Sequence, residues 1–337
     1  MSSRYPRITA VFILFVATVL ISLIAVTNSA IAEGDKSFYK GKRVTFLVQY
    51  GPGGTFDVHS RWMARHLTKF TGAKTIVQNI PGGGGVIGYN RLYRTRPDGL
   101  TILTAHTKVV AFDLFKRKGV RYKFNEFTYL GRSLPPDTAL LVRKDLPTDL
   151  NELRKLKTIR MGASSPFYEG LFAEALGLPN VRIVPGFGGL SGRIAGLIRG
   201  ELDATVGGVS GAIKFADAVK IVAVIAKDKR VPQIPDLKEL NGAEPWSNYL
   251  RSFSTLMYST ISSPNLDPNR RKFLEEALHS ITKDPDALRE AKKLKLQIRW
   301  DDPTKLRDQT KVFTTLKKKQ ISELKNVIER KYVGITN

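Results

Sequence analysis

An alternation of short apolar runs and helical patterns between residues 43 and 104 constrains the fold more than any other feature of this sequence. Runs rich in β-branched and aromatic residues, as in strands, are each followed by a segment with apolar residues at helical spacing. The predicted strands are 43–50, 74–78 and 101–104, and the predicted helices between them are 56–70 and 86–93. Alternation of this kind is typical of parallel βαβ units.

The rest of the chain repeats this alternation less regularly and then becomes helical. Further strands are predicted at 127–130, 139–142, 159–162, 182–184, 204–207 and 221–225, with helices at 169–176 and 190–199. Three C-terminal helices are predicted at 268–282, 285–294 and 303–331, and each opens with a proline in its first turn. We therefore expect two α/β lobes, with the terminal helices packed on one of them.

The first 32 residues have the parts of a secretory signal peptide. Arg4 and Arg7 give a positive start, an apolar stretch covers 10–26, and small residues lie at the cleavage site up to Ala32. We expect cleavage after Ala32 and export to the periplasm. An uncleaved membrane anchor is the alternative, but the apolar stretch is near the lower length limit for a membrane span.

Composition excludes several kinds of site. The 337 residues include no cysteine, so disulfides and thiolate metal sites are excluded. The net charge of +24 favours anionic partners, and an interaction protein on anionic surfaces is one hypothesis. However, the basic residues are spread along the chain without recognition-helix or zinc-finger spacing, so we expect no nucleic-acid binding. We also expect no metal and no cofactor.

Two glycine-rich turns each connect a predicted strand to a predicted helix. The first is Gly51-Pro52-Gly53-Gly54, after which the helix opens with Asp57 in its first turn. The second contains four consecutive glycines, Gly82–Gly85. The first N–H groups of a helix lack partners, and glycine lets an anion approach them closely. Each turn is therefore either an anion cradle or an ordinary connection between strand and helix.

Motifs of the common enzyme sites are incomplete in this chain. There is no P-loop, and the sequences around Ser191 and Ser210 each miss G-x-S-x-G by one position. The four histidines lack metalloprotease spacing, and only His106 follows the end of a strand, where α/β sites form. We therefore expect a binding protein rather than an enzyme. An exported enzyme that uses the glycine loops as an oxyanion site is the alternative.

Four stretches resemble, in order and spacing, the solute receptors of the tripartite tricarboxylate transporter system, the TctC or Bug family. These stretches are VTFLVQYGPGGTFDVHSRWMARHL, IVQNIPGGGGVIGYNRLYRTRPDGLTIL, VPGFGGLSGRIAGLIRGELDA and KRVPQIPDLKEL. The resemblance implies a two-lobed periplasmic binding protein of type II, each lobe a mixed sheet flanked by helices. Lobe 1 would contain residues 36–106 and 223–337, and lobe 2 residues 107–222.

The resemblance also implies a function and a set of site residues. The implied ligand is a small carboxylate, such as a di- or tricarboxylate, an acidic amino acid or an aromatic acid. It would be delivered to membrane transporter subunits, or sensed without transport. By position, the ligand-binding residues are Gly53, Gly54, Thr55, Thr107, Ser164, Ser165, Phe187, Gly188 and Gly189, with His106, Asp57 and the neighbouring Lys108 as further candidates. Phe187 stands in a loop where the family commonly has Tyr-Lys-Gly, so this cleft loses a hydroxyl and an ammonium group.

Overall fold

The computed structural model describes residues 36–163, 166–187, 189–240 and 244–326. The predicted signal peptide, 1–32, lies outside these residues. Within them, ten strands form two sheets of five strands each. The strands are β1 (Arg43–Val48), β2 (Lys74–Asn79), β3 (Thr101–Ala105), β4 (Thr128–Arg132), β5 (Thr138–Arg143), β6 (Ile159–Gly162), β7 (Val181–Val184), β8 (Ala204–Gly208), β9 (Val219–Val224) and β10 (Ser259–Ser262).

Helices lie between most of the strands and fill the C-terminal third of the described chain. They are α1 (Thr55–Thr71), α2 (Val86–Tyr93), α3 (Lys108–Leu114), α4 (Leu150–Lys155), α5 (Pro166–Ala175), α6 (Gly189–Ile198), α7 (Val209–Lys214), α8 (Trp246–Thr255), α9 (Pro268–Ile281), α10 (Pro285–Lys293), α11 (Pro303–Thr314) and α12 (Lys318–Asn326). None of the described helices is both long and apolar enough to cross a bilayer.

The first sheet has the strand order β2-β1-β3-β10-β4. β1 pairs in parallel with β2 and β3, while β10 is antiparallel to β3 and β4. Leu47 is in register with Leu103, so β1 and β3 end beside each other. The loops that follow these two strands therefore emerge at the same edge of the sheet, where ligands commonly bind in α/β proteins.

The second sheet has the strand order β7-β6-β8-β5-β9. β6 pairs in parallel with β7 and β8, and β5 is antiparallel to β8 and β9. Each sheet thus combines parallel and antiparallel pairs and is flanked by helices. The prediction of two mixed sheets is confirmed.

The chain changes sheets between Arg132 and Thr138, and it leaves the second sheet after Val224. Strand β4 therefore belongs to the first sheet, although it lies within the range 107–222 that the resemblance implies for lobe 2. Its partner is β10, a strand of four residues with the sequence STIS that hydrophobic patterning does not reveal. The other predicted boundaries of the lobes stay predictions.

Helix α1 forms the core of the first lobe through the apolar stripe that the sequence shows. Trp62 and Leu67 are fully buried in a cluster with Leu274 and Leu278 of α9. The indole Nε1 of Trp62 donates to the carbonyl oxygen of Ala287, at 2.9 Å. The C-terminal helices α9 and α10 therefore pack on the first lobe, in agreement with the sequence.

The predicted helix 303–331 is wrong in its extent. Helix α11 ends at Thr314, and α12 begins at Lys318, with residues from 327 onward outside the described part. The N–H of Lys317 donates to Oε1 of Gln320, at 2.9 Å, which satisfies one of the open donors at the start of the new helix. Charged residues lie on both sides of the break, so the composition of the sequence does not reveal where the helix ends.

Candidate ligand-binding cavity

A cavity of about 750 Å³ lies between the two sheets, at the ends of β1, β3 and β8. The loops after β1 and β3 contribute the turn 50–58, His106 and Lys108 to its lining, and the segment before β10 contributes Met257 and Tyr258. The second lobe contributes Tyr168, Glu169, 189–191, Arg193, Val206, Gly207, Gly208 and Ser210 among others. The cavity thus lies where a ligand would touch both lobes at once.

The first glycine turn lines the cavity, as predicted. However, one of its backbone N–H groups bonds within the protein and is not open to a ligand. Gly53 has φ +86°, and its N–H donates to Oδ2 of Asp57 at 2.9 Å, so this group is already satisfied. Helix α1 then starts from Gly54 without any side-chain cap. The first N–H groups of a helix have no intrahelical partner. The donors for an anion are therefore those around Thr55 and Phe56, and Gly53 shapes the turn.

Asp57 is the buried support of this turn. Its carboxylate also accepts from Nε of Arg61 at 3.0 Å and from Nδ2 of Asn79 at 2.9 Å. Burial opposes ionisation, but the bonds from Arg61, Gly53 and Asn79 hold the pKa of Asp57 below its usual value. Because these bonds occupy both oxygens and Arg61 balances the charge, Asp57 fixes the turn and adds little net charge to the cavity.

The second glycine run is not a second cradle. None of Gly82–Gly85 is among the residues that line the cavity, and all four have positive φ. A Cβ added at Gly82 would lie 2.5 Å from Cδ1 of Ile87, and one at Gly85 would lie 3.1 Å from Cγ of Gln49. Side chains fill the space around this turn, so its glycines serve backbone conformation and close packing.

His106 presents a neutral imidazole to the cavity. The backbone N–H of Lys108 donates to its Nδ1 at 3.1 Å, so Nδ1 carries no proton and Nε2 is the protonated nitrogen. Burial, together with the nearby charges of Lys108 and Arg193, holds the pKa of His106 well below its usual value. The imidazole can thus donate one hydrogen bond through Nε2, but it does not contribute charge.

Arg193 was not among the site residues that the sequence suggested, yet it is 6% exposed and lines the cavity. Its Nε donates to Oγ1 of Thr205 at 2.7 Å, and its Nη2 donates to the carbonyl oxygen of Val206 at 3.1 Å. Its Nη1 donates to none of the described residues. Two bonds to β8 therefore aim the guanidinium, and one nitrogen stays available for a ligand. Burial lowers the pKa of Arg193, but a guanidinium keeps its charge in proteins.

Lys108 is the second buried cation of the cavity, with 4% of its surface exposed. Burial lowers its pKa to about 8, Glu169 acts in the opposite direction, and Arg193 and Arg117 add to the decrease. Glu169 is buried as well and lines the same cavity. Two buried cations thus face one buried carboxylate, once Asp57 is balanced by Arg61. A site with this excess of positive charge favours an anionic ligand.

The structure places seven of the candidate site residues on the cavity. These are Gly53, Gly54, Thr55, Asp57, His106, Lys108 and Gly189. Thr107 is buried behind the lining, and its Oγ1 lies 3.0 Å from Nδ1 of His106. The ring of Phe187 packs against Gly196 instead of lining the cavity. Ser164, Ser165 and Gly188 lie outside the described residues.

Arg193 could have been found from its spacing. It stands four residues after Gly189, which opens α6, so it lies one helical turn beyond the glycine loop. Its neighbourhood, Gly-Leu-Ser-Gly-Arg, instead resembles an incomplete hydrolase motif. The part of the chain that the structure describes contains no cluster of three His, Asp or Glu residues able to hold a metal ion.

Comparison with known proteins identifies the family and the fold. The sequence profile described as "Tripartite tricarboxylate transporter family receptor" matches residues 60–291, well over half of the chain. A UPF0065 protein in the tcbD-tcbE intergenic region of Pseudomonas sp. (strain P51) is 26% identical over 319 residues. This match covers 89% of this chain and 91% of the relative.

Two solved structures share the fold. A TctC solute binding protein from Polaromonas matches with a TM-score of 0.63 and 18% identity, over 87% of this chain and 99% of that one. MatC from Rhodopseudomonas palustris, solved with bound malate, matches with a TM-score of 0.64 and 20% identity, over 85% of this chain and 99% of that one. The two-lobed binding-protein fold is thereby confirmed. The chain belongs to the family of tripartite tricarboxylate transporter receptors, TctC.

Proposed function

We propose that this chain is a periplasmic receptor that binds a small carboxylate anion in the cavity between its lobes. The observation that carries the proposal is the pair of buried cations, Arg193 and Lys108, in a cavity that residues of both lobes line. The leader directs export and is cleaved after Ala32, and the loaded receptor delivers its ligand to membrane transporter subunits. The malate bound to MatC, a protein of the same fold, supports a carboxylate as the ligand class.

Binding uses fixed donors from both lobes. The carboxylate lies between the start of α1, with its open N–H groups at Thr55 and Phe56, and Nη1 of Arg193 on α6. Closing the lobes around the anion removes water, and hydrogen bonds between charged groups strengthen in the less polar surroundings. No proton transfer is needed at any step, which is consistent with a receptor.

The proposal is tested by calorimetric titration of the mature protein with a panel of mono-, di- and tricarboxylates. We expect saturable binding of one ligand per chain with at least one member of the panel. A folded sample that binds none of these anions would contradict the proposal. Turnover of a bound carboxylate would instead support the exported enzyme.

The pH dependence of binding should report on Lys108. Since burial lowers the pKa of Lys108 to about 8, its ammonium is charged below pH 8 and loses its proton above. Carboxylate affinity should therefore be constant between pH 6 and 7.5 and fall as the pH rises through 8. Calorimetry across this range measures the effect. Lys108→Met should bind more weakly and lose the dependence, whereas a wild-type affinity that is flat from pH 6 to 10 would contradict it.

The same shift in pKa predicts the opposite trend for the stability of the unliganded protein. Between about pH 8 and 10 the unfolded chain binds more protons at Lys108 than the folded protein does, because the unfolded pKa is near 10.4. The free energy of unfolding gains a favourable contribution from this residue as the pH rises through that range. Urea unfolding of the wild type and of Lys108→Met, compared at pH 7 and pH 9.5, isolates the contribution.

Substitutions at two neighbouring glycines distinguish the effect of the turn's conformation on stability from the effect of ligand access on binding. Gly53 has φ +86°, so Gly53→Ala should lower the free energy of unfolding by about 1 kcal/mol. Gly54 has φ −80°, and a Cβ there would meet no atom within 4 Å, so Gly54→Ala should change stability by less than about 0.5 kcal/mol. That Cβ would nevertheless stand at the start of α1. We expect Gly54→Ala to weaken carboxylate binding about tenfold, or about 1.4 kcal/mol.

Chemical unfolding and calorimetry on both variants check this prediction. Gly53→Ala is the control for stability, because its effect should appear in unfolding. If Gly54→Ala bound carboxylates as tightly as the wild type does, the start of α1 would not be the place where the anion lies.

A further inference from the structure

Five aromatic rings form one continuous wall of the cavity, which we call the aromatic wall. It consists of Tyr50, Phe56, His106, Tyr168 and Tyr258, all of which line the cavity. The ring of Phe56 lies at its centre, with centroids 5.4 Å from His106, 5.2 Å from Tyr50 and 4.8 Å from Tyr258. Tyr168 contacts His106 edge-on at 5.9 Å and thereby extends the wall to the second lobe.

Three polar atoms of this wall have partners within the protein. The hydroxyl of Tyr258 donates to Oδ1 of Asp137 at 3.1 Å, and that of Tyr168 lies 3.0 Å from Oγ of Ser254. Nδ1 of His106 accepts from the backbone N–H of Lys108. The hydroxyl of Tyr50 is buried without a hydrogen-bond partner among the described residues, and Nε2 of His106 is open to a ligand. The wall therefore offers mainly carbon faces, with these two neutral polar atoms beside them. Such faces favour a flat, apolar partner that can stack or meet them edge-on.

The distribution of charge limits how many carboxylates can be buried beside the wall. The buried charges of the described lining are Lys108, Arg193 and Glu169, apart from the Asp57 that Arg61 balances. These leave an excess of one positive charge while Lys108 is protonated. The other cations of the lining, Lys214 and Lys295, are exposed and remain solvated. A second buried carboxylate would therefore lie against the rings without a buried counter-charge, which is costly.

We infer that the preferred ligand is an aromatic monocarboxylate. Its carboxylate is held by Arg193 and the start of α1, and its ring lies against Phe56 and His106. This assignment rests on the proposed function, since it names the class of carboxylate for the same cavity. A volume of about 750 Å³ accommodates ligands larger than a single ring, so substituents on the arene are compatible with the site.

The test is calorimetry at pH 7 with benzoate, 3-phenylpropionate and 2-naphthoate against succinate and malate, with cyclohexanecarboxylate as the non-aromatic match for benzoate. We expect the best aromatic monocarboxylate to bind at least tenfold more tightly than either dicarboxylate. We also expect benzoate to bind more tightly than cyclohexanecarboxylate. The variant Phe56→Leu should reduce affinity for the aromatic ligands several-fold more than affinity for succinate. Phe70→Leu, on the same helix but away from the cavity, is the control and should leave the ranking unchanged.

The outcomes separate this inference from the proposed function. If succinate or malate bound as tightly as the aromatic acids, the aromatic assignment would be overturned while the carboxylate receptor stood. If Phe56→Leu affected both classes equally, the aromatic wall would not select the ligand, and the assignment would again be overturned. If no carboxylate bound, both proposals would be overturned together.

Discussion

Replacing Arg193 with glutamine should weaken carboxylate binding by roughly 30- to 150-fold, equivalent to about 2 to 3 kcal/mol. Glutamine removes the charge and the free Nη1, which we place opposite the ligand carboxylate. The two bonds that aim the wild-type side chain, to Thr205 and to the carbonyl oxygen of Val206, identify Arg193 as a preorganised donor. Hydrogen bonds to charged groups are worth more than neutral ones, and burial at 6% exposure increases their strength.

The matched control for this prediction is Arg199→Gln. Arg199 follows the same helix, but it is exposed and pairs with Glu201 on the surface. Its replacement should leave affinity unchanged, because exposed ion pairs contribute little. Circular dichroism and thermal unfolding must show that Arg193→Gln is folded. A folded Arg193→Gln with wild-type affinity would rule out this side chain as a ligand contact.

Replacing Asp301 with asparagine should lower the free energy of unfolding by about 3 kcal/mol, the largest effect on stability that we expect. Asp301 is 8% side-chain exposed and pairs with Arg132, which is 3% exposed; Nε of Arg132 donates to Oδ2 at 2.9 Å. The two backbones also form an antiparallel bridge. Removing the carboxylate leaves a buried guanidinium without its counter-charge. The chain segment before Asp301 includes Leu294 and Leu296 of the cavity lining, so this pair also holds part of the site in place.

The contribution of Asp301 should depend on pH. Burial opposes ionisation, but Arg132 and Arg299 lower the pKa of Asp301 below its usual value. A carboxylate with a lowered folded pKa contributes stability above its unfolded pKa, near 3.9, and loses it as the pH falls through the folded pKa. Urea unfolding at pH 7 and pH 3 should therefore give a large difference between wild type and Asp301→Asn at pH 7 and a smaller one at pH 3.

Asp308→Asn is the control for Asp301. Asp308 pairs with Lys311 on the exposed face of α11, and we expect its replacement to change stability by less than about 0.5 kcal/mol at either pH. If the two variants changed the free energy of unfolding equally, the buried ion pair between Asp301 and Arg132 would contribute no more to stability than an exposed pair does.

Nine of the ten described strands were predictable because their β-branched and apolar residues show in the sequence. The apolar run of β1, RVTFLV, indicated a strand. The apolar residues of α1 at helical spacing indicated both the helix and the face that it buries. The strand β10 was missed because its four residues, STIS, have no apolar alternation, although all four are buried. Its partner β4 lies in the first sheet, although the lobe boundaries that the resemblance implies include it in lobe 2. Strand membership of this kind depends on long-range pairing, which local patterns do not contain.

The candidate site was predictable in its location but only partly in its chemistry. The first glycine turn and His106 lie on the cavity because parallel strands present their following loops at one edge. The run Gly82–Gly85 has an equally suggestive sequence, but neighbouring side chains occupy the space around it. The spacing of Arg193 from the glycine loop was the signal available, but only the fold shows that this arginine is buried and bonded to β8.

The most direct test of the account is a crystal structure of the mature protein with the carboxylate that binds most tightly in the titrations. We expect the ligand between the two lobes, with a carboxylate oxygen within about 3.2 Å of Nη1 of Arg193 and close to the N–H groups at the start of α1. A ligand bound outside this cavity, or one with its carboxylate directed away from Arg193, would contradict the account.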